Sequence, residues 1–140
     1  MSRLGVLLSA VATCAVLAAP ARAQDTTKAP PAAPAPGADS AQMYVGDWDW
    51  TAGTGERLVD GVWRINYANG RFTGIVARPG MPVTPISSFT LRNGREFTLI
   101  CDFNGETFTF SGRLDNVRNA SGTLSRRGGM DRLRAQKRAG

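Results

Sequence analysis

The sequence predicts an all-β fold for residues 44–140, a single up-and-down antiparallel β-barrel of about eight strands, on three observations. Asn69-Gly70, Asn93-Gly94 and Asn104-Gly105 each stand between runs of β-branched or aromatic residues. Asn-Gly is the pair that most readily takes the positive φ values of a two-residue type I′ hairpin turn. The segments between turns alternate with a period of two: Phe97, Leu99, Cys101 and Phe103 face one way, and Glu96, Thr98, Ile100 and Asp102 the other. The following segment sets Phe108, Phe110 and Leu114 against Thr107, Thr109, Ser111 and Arg113, so the sheet has one apolar and one wet face. Finally, no segment in this region carries an apolar 3.6-residue period long enough to provide a covering helix. An uncovered apolar face forces the sheet to curl on itself, and about eight strands close around side chains or one small ligand.

Taken in order, the pattern predicts strands at 44–51, 58–67, 71–78, 85–92, 95–103, 106–114, 118–126 and 130–137. Their links are short, apart from Pro79-Gly80-Met81-Pro82, which implies sequential antiparallel pairing. A local echo recurs in Phe72-Thr73-Gly74-Ile75-Val76, Phe110-Ser111-Gly112-Arg113-Leu114 and Ala120-Ser121-Gly122-Thr123-Leu124. Each copy puts glycine on the inward parity, where it marks a bend or leaves room for a large neighbour such as Trp48 or Trp63.

Upstream, residues 1–23 have the layout of a signal peptide: Arg3, an apolar run from Leu4 to Ala19, and the small-x-small site Ala21-Arg22-Ala23. The alternative reads Val11-Ala12-Thr13-Cys14 as a lipoprotein box with Cys14 acylated, although Thr13 is bulky for that position. Residues 24–43 are a Pro/Ala-rich tether whose composition buries too little surface to offset its ordering entropy, and it is expected to be disordered. The mature chain is therefore expected to be exported, periplasmic or secreted, with no transmembrane span. Cys101 would be its sole thiol, excluding an internal disulfide.

The formal net charge is +6, carried almost wholly by arginine, and histidine is absent. Without imidazole, the commonest zinc sites and hydrolase triads are ruled out, so the chain is expected to be no enzyme and to use no metal or cofactor. Asp47 and Asp49, two apart on a strand, share an outer face rather than flank a cleft. Asp102 and Glu106 sit at an exposed turn, and Cys101 has no basic neighbour in sequence to activate it.

Trp48, Trp63, Ile65, Tyr67, Phe97, Leu99, Phe108 and Phe110 are candidate ligand-lining residues for an apolar or amphiphilic, lipid-like molecule. The same residues would also make an ordinary filled core, and both readings stay open here. None is charged, so an acidic head group is expected at the barrel mouth, met by Arg132 and Arg134 of the C-terminal hairpin. That basic hairpin could equally face an anionic lipid surface, or carry solvated charge that protects a sheet edge. Nucleic acid is not expected, since no oligonucleotide-binding signature is present. The alternative function is a protein-interaction or structural domain, including a periplasmic inhibitor that inserts residues 24–41 as an arm.

Tyr44-Val45-Gly46-Asp47-Trp48 resembles the Gly-x-Trp start of the first strand in lipocalin-like (calycin) barrels. The resemblance implies that Trp48 closes one barrel end against an arginine of the last strand, Arg134 or Arg138. Residues 86–124 also resemble a small exported bacterial β module. N-terminal sequencing of the exported protein is expected to begin at Gln24, whereas an acylated Cys14 would establish a lipid-anchored protein.

Overall fold

The computed structural model describes residues 37–140. The expected signal peptide, Cys14 and residues 24–36 of the expected tether lie outside the described residues. A short helix α1 (Ala38–Gln42) leads into eight strands: β1 (Gly46–Ala52), β2 (Val59–Ala68), β3 (Arg71–Ala77), β4 (Thr84–Arg92), β5 (Glu96–Phe103), β6 (Glu106–Asn116), β7 (Asn119–Arg126) and β8 (Gly129–Lys137). Each pairs antiparallel with the next and β8 returns to β1, closing an up-and-down barrel. The fold class is the one the alternation and turn chemistry predict.

The three Asn-Gly pairs make their turns as expected, with positive φ at Asn69 (52°), Asn93 (49°) and Asn104 (50°) and at the glycine after each. The β6–β7 turn uses a different device. Asn116 Oδ1 accepts hydrogen bonds from the backbone N–H groups of Arg118 and Asn119, both at 2.9 Å, an Asx-type turn that needs no glycine.

The hairpins at residues 69–70, 93–94 and 117–118 share one barrel end with α1 and the close of β8; those at 53–58, 78–83, 104–105 and 127–128 share the other. Residues 38–42 belong to the ordered body although they fall within the predicted tether. The proline tract stops before them, and Ala41 and Tyr44 are buried. Tyr44 donates its hydroxyl hydrogen to the Arg95 carbonyl at 2.6 Å, tying this segment to the start of β5.

Trp48 is buried at the same end, its Nε1–H donating to the Tyr44 carbonyl at 2.9 Å. The cation over its ring is Lys137, 5.7 Å from the centroid, and not Arg134 or Arg138. Parity is the reason. Lys137 lies directly across from Trp48 on β8, on the inward set with Leu133 and Ala135, while Arg134 is opposite Thr51 on the outer wall and Arg138 bonds Asp49 there.

Three tryptophans in a narrow lumen demand small residues opposite them. Gly61 faces Trp50 across β1–β2, and a Cβ at Gly61 would lie 2.7 Å from Trp50 Cζ2. Gly112 and Gly122 face one another across β6–β7, where a Cβ on Gly122 would lie 2.5 Å from Gly112 Cα. Gly61→Ala is therefore expected to destabilise by about 1–3 kcal/mol through overpacking, and Trp48→Ala by about 3–5 kcal/mol through cavity formation, both read by denaturant unfolding.

Candidate functional site

The lumen gathers the predicted ligand-lining residues into one cluster. Trp48, Trp63, Ile65, Phe97, Leu99, Phe108 and Phe110 are all buried, and Tyr67 is half-buried at the rim beside Phe72, ring centroids 4.7 Å apart. Trp50, outside that predicted set, occupies the centre. Its ring stacks on Trp63 at 6.2 Å and meets Phe110 edge-on at 4.9 Å, while Trp63 meets Phe110 at 5.2 Å and Phe97 at 5.7 Å. The signal for Trp50 was its place two residues after inward-facing Trp48.

This interior is filled. The gap bordered by Tyr44, Trp48, Trp63, Ile65, Phe89, Phe97 and Ala120 is too narrow to admit a water molecule. Indole N–H groups nevertheless lack partners inside it: among the described residues, neither the Trp50 nor the Trp63 Nε1–H meets an acceptor. A buried donor left unsatisfied costs about 1–3 kcal/mol, against a net gain of only about 0.5–1.5 kcal/mol from an ordinary hydrogen bond.

The wall has one thin seam. β3 and β4 pair at only two positions, Ile75 with Pro85 and Val76 with Thr84. Proline has no N–H to donate, and beyond it the ladder gives way to side chains. Phe72 and Phe89 bridge the seam with centroids 4.4 Å apart, both half-buried, and Phe89 stacks on Phe97 at 6.1 Å. At this seam the wall is closed by ring contacts rather than by a continuous backbone ladder.

Arg132 and Arg134 do not reach a barrel mouth. They lie on the outer wall, Arg134 opposite Ser121 and Thr51, and line a groove of about 520 Å³ with Asp49, Asp115 and Gln136. Their strand β8 is paired on both sides, so the reading of this charge as protection for a sheet edge has no edge to protect. A neighbouring groove of about 610 Å³ runs over β4–β7 between Thr90, Arg92, Glu96, Ser111 and Arg113.

The lumen does hold a charged side chain, contrary to the expected all-neutral set. Arg78 directly follows β3, two residues after buried Val76, and its guanidinium centre lies 5.4 Å from the Phe108 ring and 5.9 Å from Phe103. Burial is the main influence lowering its pKa. Parity counted from Phe72, Gly74 and Val76 identifies it, but the Pro-Gly link after it reads as the end of the strand.

The carboxylates weighed above for catalysis are engaged on the outside. Asp47 is paired with Arg64 at 2.9 Å and Asp49 with Arg138 at 2.6 Å, and hydrogen bonds from these guanidiniums hold both carboxyls below their usual range. Asp102 accepts hydrogen bonds from Thr107 at 2.7 Å and Ser87 at 3.3 Å. Cys101 is fully buried and its thiol is pushed up to about 12 by desolvation.

No family model and no curated protein matches the chain. Solved structures do. A redesigned β-barrel, b11L5F_LGL, superposes with a TM-score of 0.56 at 9% identity, over 72% of this chain and 96% of its own. A second redesigned barrel, mFAP1, bound to DFHBI, gives 0.52 at 14% identity, covering 71% and 98%. A de novo designed fluorescence-activating β-barrel gives 0.51 at 14%, covering 72% and 98%. The likeness is one of fold: they too are β-barrels, and this chain closes its barrel with eight antiparallel strands.

Burial of Cys101 has a direct consequence. Native protein is expected to resist thiol labelling at pH 8 and to label fully once unfolded. Because the folded thiol keeps its proton where the unfolded one loses it, Cys101 contributes a loss of stability as pH rises from about 9 towards 12. Denaturation midpoints of wild type and Cys101→Ala across that range check the sign.

Proposed function

We propose that this protein is a non-catalytic barrel that binds an apolar or amphiphilic small molecule among the aromatic rings of its lumen. The observation that carries this reading is the pair of buried, unpartnered indole N–H groups of Trp50 and Trp63. In a wholly structural core an orphaned indole donor is a cost that a smaller aromatic ring such as phenylalanine does not carry. A ligand with a carbonyl or ether oxygen would supply the acceptor, and the surrounding rings would bury its apolar part. The weakly paired β3–β4 seam, closed by Phe72 and Phe89, supplies a route inward. That mFAP1 was solved with DFHBI bound makes the architecture a credible host for a small molecule. Lipid-like ligands suit the apolar lining, and the signal-peptide pattern favours an exported location.

A second reading rests on the tight filling of the lumen. A barrel that never opens would act through its outer wall, where the two polar grooves hold Arg92, Arg113, Arg132 and Arg134, as an interaction module. An inhibitory arm formed by residues 24–41 falls mostly outside the described residues.

Titration with a neutral solvatochromic dye, followed by dye and tryptophan emission, separates the two. Saturable binding at micromolar dye is expected, weakened about 3- to 10-fold in Trp50→Phe or Trp63→Phe, the range for one neutral hydrogen bond. No saturable change, with the fold intact by circular dichroism, favours the interaction module.

A further inference from the structure

We propose that Arg78 anchors the ligand's head group and that the barrel selects amphiphiles ending in a carboxylate; this rests on the lumen-binding reading above. The site lies at the barrel end opposite Trp48. Arg78 faces inward on the parity of Val76, and its guanidinium lies against Phe103 and Phe108. Above it is the Pro79-Gly80-Met81-Pro82 link, from which Met81 packs against the core and accepts a hydrogen bond from Arg78 Nη1 through its sulfur at 3.3 Å.

Several features make this cation incomplete. Its Nε–H is buried and has no acceptor among the described residues. Asp60 and Glu106 lie near enough to influence its charge, yet neither forms an ion pair with it. Arg126 adds like charge from the β7–β8 hairpin at the same barrel end and is itself occupied by Asp131 at 3.0 Å. A thioether is a weak acceptor, and two ring faces offset only part of the desolvation of a guanidinium. Arg78 is half-buried, with its Nε–H cut off from solvent, and a partly desolvated cation without a hydrogen-bonded counter-charge carries a cost that methionine or leucine would not.

A carboxylate corrects each deficiency. It brings the missing charge, and its two oxygens match the planar edge of a guanidinium through paired, charge-assisted hydrogen bonds. The attached chain would then pass the contacting rings of Phe103 and Phe108 towards the second ring cluster of Phe110, Trp50 and Trp63. Arg132 and Arg134, on the outer wall, have no such access.

Full-length wild type and Arg78→Met are titrated with decanoate and with decanol, using tryptophan emission as the readout. Wild type is expected to bind the acid about 10- to 100-fold more tightly than the alcohol, the range for hydrogen bonds to a charged group. Arg78→Met should lose that preference, binding decanoate no more tightly than decanol. Equal binding of acid and alcohol by wild type, or a preference that survives in Arg78→Met, overturns the role of Arg78 and leaves the lumen reading standing. Failure of wild type to bind either ligand overturns the proposal, and overturns the lumen reading with it where the neutral dye also fails to bind. The Arg78 Nε–H resonance tests the same contact without a substitution: it should shift with decanoate and stay in place with decanol, and a resonance indifferent to decanoate overturns the proposal.

Discussion

Everything in this structure depends on the pairing of β8 with β1. An open eight-stranded sheet of this sequence would present an apolar face with nothing to cover it and two unpaired edges. Closure through Trp48–Ala52 against Leu133–Lys137 removes both problems at once. It also imposes a volume constraint, because inward side chains must fill a lumen whose diameter is set by the strand number. Three tryptophans are admissible only because glycines face them or their neighbours, as Gly61 does beneath Trp50. The large and small inward residues are thus one solution to one packing condition.

The same closure separates the charges by location. Outward arginines pair with outward carboxylates in water, as Arg64 does with Asp47 and Arg138 with Asp49, and such exposed pairs contribute little to stability. The inward set tolerates two cations, both at barrel ends. Lys137 lies over the Trp48 ring and donates to the Met43 carbonyl at 3.1 Å, so its charge has a polar partner. Arg78, at the opposite end, meets a sulfur and two ring faces, and its Nε–H finds no acceptor among the described residues. That asymmetry, together with the two orphaned indole donors, gives the lumen more polar capacity than a filled core can use.

A filled lumen and a binding function are compatible where the wall can yield. Most of this wall is laddered backbone, which resists separation, but the rim between β3 and β4 is held by aromatic contacts. Rings exchange rotamers at far lower cost than strands exchange hydrogen bonds, so Phe72 and Phe89 are the elements of the wall best able to move.

Strand order, strand number, turn positions and the inward parity of the β5–β6 hairpin were legible from the residues because they depend on local rules: Asn-Gly fixes turns, and period-two alternation fixes faces. Trp48 as an end residue was legible too, through its Gly-x-Trp setting. Its partner was not, because which β8 residue lies across from it is a matter of register, and register put Lys137 inward and both candidate arginines outward. The inward turn of Arg78 was obscured by the Pro-Gly link that follows it, and Trp50 by the carboxylates on either side. Whether the interior is hollow was never a local property. It follows from how eight strands of given tilt bring distant side chains to one axis, and only the closed barrel shows Trp50, Trp63, Phe97 and Phe110 meeting there with two N–H groups left without acceptors.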